Sequence, residues 1–524
     1  MTGRWKGTIP LLSVVLILGL SVITSAVPRP QQDDGFARWL QENSRPDANH
    51  HDARRRLRDR HHFGPHPQGA REMLHHWNAI AVDASGLDHT PPSPGESRVF
   101  GEQLGPGRAS RAMAIVHISV FDAVNAIAGD YEAYSRMPRA PEGASMQAAI
   151  AQAAHDTLIA MFPAQVDDMN EELSDDLGQM RNGPSKLMGM RVGAKAAELI
   201  LAARRDDGSQ YVEPKLGIGF FTKDAPGKWR QDPISLVPTA LGAPWGAVEP
   251  FVISAGARFR VPPPPALRSR EYASAYNEVK RLGGNDITTP TDRTDDQTFT
   301  GIFWAYDGTP SLCAPPRLYN QIAMTIADKM HTDTVELARL LALVNVAMAD
   351  AGIAIWESKY YYQFWRPITA IREADAGTGP TGLGDRNPLT EGDPSFTPLG
   401  APASNLTGPN FTPPFPGYPS GHAGFGGALF ETLRRFYGTD AIPFTFTSDE
   451  FNGETVGNDG QVRPLRPKSF QTLSQAEDEN GQSRIFLGIH FAFDKTDGIQ
   501  QGRRVADYVF GNAFQPARGH DGRR

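Results

Sequence analysis

"ASRAMAIVHISVFDAVNAIAG", Ala109 to Gly129, sets its apolar residues three and four positions apart and is rich in alanine. That period lines them along one stripe of an α-helix, and alanine is the strongest helix former. "SMQAAIAQAAHDTLIAMF" (145–162) and "KLMGMRVGAKAAELILAARR" (186–205) repeat the pattern with leucine and methionine added. Together they predict a first helical bundle over 69–206, in which His117 and His155 read as structural. Residues 207–267 shift to Gly, Pro and aromatics and end in "VPPPPAL", which reads as a long irregular connection wrapped against the bundles. A second helical set follows over 268–518, including "SREYASAYNEVKRL", "PRLYNQIAMTIADKM", "TVELARLLALVNVAMADAGIAIWESKYYYQFW", "AGFGGALFETLRRFYG" and "TDGIQQGRRVADYVFGNAF". No alternating strand pattern is sustained enough for a central sheet. The predicted fold is all-α, two helical bundles of roughly four helices each with long irregular connections.

The 524-residue chain is long enough for two or more ordinary domains. Its formal charge of -7 supplies no sequence-wide basic field to favour nucleic acid, so any anion site must be built locally. The start, "MTGRWKGTIPLLSVVLILGLSVITSAVPRP", places Arg4 and Lys6 ahead of an apolar run and Thr24-Ser25-Ala26 behind it. It reads as a signal peptide over 1–26 and hence a secreted or periplasmic protein, an uncleaved anchor being the alternative. No later segment reads as long and apolar enough to span a bilayer, so no integral membrane segment is expected in the mature chain. Cys313 is the only cysteine, which excludes an internal disulfide. Residues 27–68 read as a mobile leader. Seven of the 14 histidines fall between His50 and His76, but Pro, Arg and Asp dilute them and no second cluster completes a metal site.

Three stretches carry candidate chemistry. In "KYYYQFWRP", Lys359 and Arg366 stand seven residues apart, nearly two helical turns, so one face would present two cations to one small volume; Pro367 should end or kink that helix. Two such cations alone are ordinarily a solvated face. In "FTPPFPGYPSGHAGFGG" (411–427), Ser420, Gly421 and His422 open a helix. Its N-terminus suits an oxyanion, Gly421 lets the anion approach the backbone, the Ser420 hydroxyl donates, and His422 can exchange a proton. Alone this could be an N-cap followed by an incidental histidine. In "SRIFLGIHFAFD" (483–494), His490 and Asp494 are four apart, the helical spacing at which a carboxylate holds one ring nitrogen and leaves the other free. Arg484 lies off that face, so a break is expected near Gly488. Taken together, three cations, a helix start with a hydroxyl and two histidines of different roles fit one oxyanion.

This set, Lys-x6-Arg-Pro, Pro-Ser-Gly-His and Ser-Arg-x5-His-x3-Asp, resembles the shared signature of vanadium-dependent haloperoxidases and the type 2 phosphatidic acid phosphatase superfamily. "FWAYDGTPSLCAPPRLYNQI", "DAGIAIWESKYYYQFWRP", "FTPPFPGYPSGHAGFGGALF" and "SRIFLGIHFAFD" resemble the vanadium chloroperoxidases over most of 295–495, and "GPGRASRAMAIVHISVFDAVNAI" resembles the first bundle of bacterial relatives. The resemblance implies a vanadate cofactor whose vanadium is ligated by His490, with Asp494 orienting that ring. Lys359, Arg366, Arg484, Ser420 and the Gly421 N–H would hold its oxygens, with Lys359 also polarising bound peroxide, and His422 would act as acid–base. Asp307 in "WAYDG" matches the family aspartate that pairs with Arg484. Trp356 and Phe415 match the aromatic pair at the halide position of chloroperoxidases.

The implied reaction is oxidation of halide, chloride or bromide, by hydrogen peroxide to hypohalous acid, with vanadate as Lewis acid. The same groups would also serve an exported acid phosphatase, in which His490 attacks phosphorus to form a phosphohistidine and His422 protonates the leaving alcohol. A phosphate-binding module without turnover is a third reading, although a binder needs neither His422 nor the His490–Asp494 couple. A homo-oligomer is compatible with all three.

Overall fold

The computed structural model describes residues 35–45 and 67–517. The predicted signal peptide lies outside them. Fourteen α-helices and one two-stranded ribbon make up the regular structure among the described residues, so the architecture is all-α. Helices α2 (Ala70–Asp88), α3 (Pro106–Ala128), α4 (Met146–Met161), α5 (Val166–Gln179) and α6 (Pro184–Ala203) come first. From Asp207 to Leu267 only two short 3₁₀ turns interrupt irregular backbone. Then follow α7 (Arg270–Leu282), α8 (Asp295–Phe303), α9 (Pro315–Lys329), α10 (Thr334–Tyr362), α11 (Pro367–Arg372), α12 (Gly421–Tyr437), α13 (Leu473–Phe486) and α14 (Ala492–Asn512). Strands β1 (Phe444–Phe446) and β2 (Lys468–Phe470) pair antiparallel, with Thr445 opposite Ser469.

Helix α10 is the axis of the fold. Asp333 caps its start by accepting from Glu336 N at 3.0 Å, and Gln363 in the left-handed region (φ 50°) ends it. It packs on α3 on one side and on α12 and α14 on the other. One apolar core therefore runs through both helical groups. Helices α3 and α10 are by length and composition apolar enough to cross a membrane, contrary to the expectation that no later segment is. Both are nearly all buried inside the protein, and α10 is apolar all round because it is surrounded by other helices.

Small residues place two of the candidate segments side by side. A Cβ on Gly502 of α14 would lie 1.9 Å from Gly424 O of α12, and one on Gly427 would lie 2.5 Å from Ile499 O. The two helices touch backbone to backbone, and no larger side chain fits there. That contact sets the start of α12, with Ser420 to His422, beside the start of α14, with His490 to Asp494.

The leader expected over 27–68 is in part ordered structure. Gly35–Glu42 forms α1, with Phe36, Trp39 and Leu40 buried; the spacing i, i+3, i+4 gives this short helix one apolar face that the core covers. The rest of that leader, except 43–45, 67 and 68, lies outside the described residues.

Candidate active site

Lys359 sits fully buried in the last turn of α10. Its Nζ donates to the carbonyls of Pro416 and Gly417, each at 2.9 Å, and of Pro419 at 2.5 Å. An ammonium has three N–H donors, and Lys359 uses all of them to clamp the 416–419 loop. The sequence reading put Arg366 on the same helix face, and here the structure differs. α10 stops at Tyr362, and Arg366 is the residue before α11, whose first position Pro367 occupies. Proline is suited to a first helical turn, so it starts one helix rather than ending another. Arg366 still returns to the site: Nε donates to Phe415 O at 3.0 Å, and Nη1 donates to Ile489 O at 3.0 Å and to His490 Nε2 at 2.9 Å.

Ser420 caps α12. Its Oγ accepts from Ala423 N at 3.4 Å, and its own N–H donates to Asp494 O at 2.9 Å. In the first turn, His422 Nε2 is hydrogen-bonded to the Ala305 carbonyl. A carbonyl only accepts, so the network assigns the proton to Nε2 and the lone pair to Nδ1. Asp307 Oδ1 lies 3.9 Å from Nε2 on the same side.

The third segment joins α13 to α14. Gly488 (φ 74°) turns the chain where a break was expected, and a Cβ there would lie 2.4 Å from Gly283 O. His490 and Asp494 do not share a helix as their spacing suggested: His490 precedes α14, while Asp494 stands in its first turn. Asp494 Oδ2 accepts from His490 Nδ1 at 2.8 Å and from Phe491 N at 3.1 Å, so one oxygen orients the imidazole and caps the helix. Arg484, in the last turn of α13, donates from Nη2 to Asp307 Oδ1 at 2.6 Å.

These segments converge on a cleft with a polar floor and apolar walls. Asp307, Trp356, Phe415, Gly421, His422, Arg484 and His490 line it; Lys359, Arg366, Ser420 and Asp494 are buried and hydrogen-bonded to the segments that form it. The Trp356 and Phe415 rings lie 5.0 Å apart at 56°. Lys359 Nζ is 5.1 Å and Arg366 Cζ 5.0 Å from the Phe415 ring centre, so the aromatic wall also faces the cations. The sequence reading missed several lining residues: Phe36, Gly105, Pro106, Leu241 and the pair Pro413 and Pro414.

Burial dominates the electrostatics. Burial and the neighbouring Arg366 hold the Lys359 ammonium well below its ordinary range, and burial brings Arg366 down to about 9. Burial and the Arg366, Lys359 and Arg484 charges keep His490 well below the usual imidazole range; burial and Arg484 do the same to His422. Both imidazoles are neutral at pH 7. Burial raises Asp494 to about 7 and raises Asp307 also, against the opposing pull of Arg484. Three buried cations thus face two carboxylates. Arg484 Nε and Nη1 are buried without a partner. Unpaired donors and surplus positive charge in a dry site are what an oxyanion would satisfy, so the residues present fit vanadate or phosphate.

A family model described as the VCPO second helical-bundle domain matches residues 339–519. The vanadium chloroperoxidase of Curvularia inaequalis is 30% identical over 501 residues, which covers 80% of this chain and 78% of that protein. The chain belongs to the vanadium-dependent haloperoxidase family. Among solved structures of the family, a bacterial vanadium-dependent iodoperoxidase, 24% identical, matches with a TM-score of 0.66 over 86% of this chain and 99% of its own. The apo form of a bacterial vanadium-dependent chloroperoxidase, 17% identical, matches with a TM-score of 0.58 over 78% of this chain and 94% of its own. At these identities the two structures speak for the fold, and the haloperoxidase fold is helical, as predicted.

Proposed function

We propose that this haloperoxidase binds vanadate in the cleft and uses it to oxidise halide with hydrogen peroxide to hypohalous acid. The observation that carries the reading is the floor itself: three buried cations around His490, two unpartnered Arg484 donors, and a neutral His422 whose lone pair is free. His490 Nε2 would ligate the metal on exchanging its hydrogen bond from Arg366 Nη1. Arg366, once released, and Arg484 would hold the vanadate oxygens with the Gly421 N–H and the Ser420 hydroxyl. Lys359 would contribute its charge from behind. Vanadate, when bound, supplies Lewis acidity that exposes the peroxide O–O bond to two-electron attack by halide.

The protein supplies the rest. His422 Nδ1 takes a proton from hydrogen peroxide, because the Ala305 carbonyl holds Nε2 as the N–H and the depressed basicity keeps the ring unprotonated beforehand. The imidazolium so formed returns its proton to product oxygen, and Asp307 stands close enough to stabilise it meanwhile. Trp356 and Phe415 exclude water from the halide, which strengthens its attraction to the nearby cations. The phosphatase reading requires the same floor; the relatives, all named as haloperoxidases, favour the peroxidase.

The test separates the two histidines. His490→Ala should abolish orthovanadate binding in equilibrium dialysis and, with it, peroxidase turnover. His422→Ala should keep binding while turnover drops by about two orders of magnitude or more, the usual span for a lost acid–base group. Equal loss of binding in both variants would refute the division of roles.

A further inference from the structure

Helix α1 contributes one residue to the cleft. Phe36 is only 2% exposed and lines it. Its ring lies against Gly308, where an added Cβ would come within 3.2 Å of Phe36 Cε1, one residue beyond the aspartate that holds Arg484. Phe36 stacks on Trp39 with ring centres 6.1 Å apart, and Trp39 meets Phe411 at 4.9 Å. Phe411 opens the segment that brings Pro413, Pro414 and Phe415 to the cleft. At the head of the helix, a Cβ on Gly35 would lie 2.3 Å from Thr239 Oγ1, two residues before the lining Leu241. α1 therefore contacts three rim segments distant in sequence. It is tied down at its far end: the Asn43 carbonyl accepts from Thr407 N at 2.9 Å and Thr407 Oγ1 at 3.1 Å, and Arg45 Nη2 donates to Gly457 O at 2.6 Å. The end that reaches the cleft is packed by rings.

We infer that Phe36 is an access-determining residue of the active site, a ring on an anchored strap that meters passage of small anions between solvent and the His422–His490 floor. This rests on the anion site proposed above. The ring has no polar donor for an oxyanion, so affinity is set by Arg366, Arg484 and His490 while Phe36 sets the height of the barrier. A barrier acts on entry and exit alike. Removing the ring must speed both and leave their ratio, the dissociation constant, where it was.

Stopped-flow binding of orthovanadate to the full chain, followed by tryptophan fluorescence and repeated with inorganic phosphate, tests this without peroxidase turnover. Phe36→Ala should raise association and dissociation rate constants together by about tenfold and keep Kd within about twofold, and Phe36→Trp should lower both. Unchanged rates, or a shift in Kd carried by dissociation alone, would overturn the inference while the anion site stands. A parent protein that binds neither anion removes both. If Phe36→Ala fails to fold by circular dichroism, Phe36→Leu, which keeps an apolar contact with a smaller side chain, carries the same comparison.

Discussion

Asp494→Asn separates charge from geometry at the floor of the cleft. The Asp494 carboxylate does two tasks through one oxygen, accepting from His490 Nδ1 at 2.8 Å and from Phe491 N at 3.1 Å, while Oδ1 is buried without a partner. An asparagine can offer its amide oxygen to both donors and turn its NH2 to the Oδ1 side, so the imidazole stays oriented and α14 stays capped. What disappears is the negative charge behind His490. Burial has already raised that carboxyl to about 7, so the charge is held at a cost in the native fold near neutral pH. Relief of that cost opposes the penalty of an unpartnered buried amide N–H, about 1–3 kcal/mol, so the Asn variant should lose no more than about 2 kcal/mol of stability. Binding should respond more clearly. Loss of a charged partner to a ligating histidine typically weakens metal affinity about 10- to 100-fold, about 1.4–2.7 kcal/mol. Asp494→Ala should match that loss and forfeit about a further 1 kcal/mol of stability by uncapping α14. Isothermal titration with orthovanadate and urea unfolding of both variants supply the two readouts. An Asn variant that binds as tightly as the parent, or that loses as much stability as the Ala variant, would refute the reasoning.

Two further predictions concern His422 and the aromatic wall. Because His422 is held neutral in the fold, the unfolded chain takes up a proton there below about pH 6.5 while the folded chain does not, so stability falls on acidification by up to about 1.4 kcal/mol per pH unit. His422→Gln should therefore lose less stability between about pH 6.5 and about pH 5.5 in urea unfolding, and an unchanged pH slope would contradict the assignment. Phe415→His should lower chloride oxidation more than bromide oxidation at matched peroxide and pH, because a hydrated ring weakens the dry wall and chloride is the harder halide to oxidise; a parallel fall would show that the wall does not discriminate.

The helical architecture was legible because periodicity and composition act locally, and the segments around Ala109 and Thr334 carry both over many residues. The candidate residues, far apart in sequence, were grouped through the resemblance, and the fold brings them to one cleft, although two local geometries were misread. Lys359 and Arg366 looked like one helix face because seven residues make nearly two turns, yet Gln363 in the left-handed region ends α10. Pro367 carried the missed signal, being suited to the first turn of the next helix. His490 and Asp494 looked like a pair within one helix; Asp494 three residues after Phe491 is equally the mark of a capped helix start, which leaves His490 outside. The use of all three Lys359 donors on backbone carbonyls had no sequence signal, since it depends on the path of the 416–419 loop. Phe36 did have one: apolar residues at 36, 39 and 40 stand out in a polar stretch, hidden by the length of the leader around them.

The most direct measurement of the central claim compares two activities of one purified preparation stripped of bound anion. Peroxide-dependent halogenation of a phenol-type dye is followed with and without added orthovanadate, beside hydrolysis of a phosphate ester. The account predicts halogenation that appears only with orthovanadate, is suppressed by inorganic phosphate competing for the same donors, and far exceeds ester hydrolysis. Brisk hydrolysis by the vanadate-free protein, with no halogenation after orthovanadate is added, would contradict it.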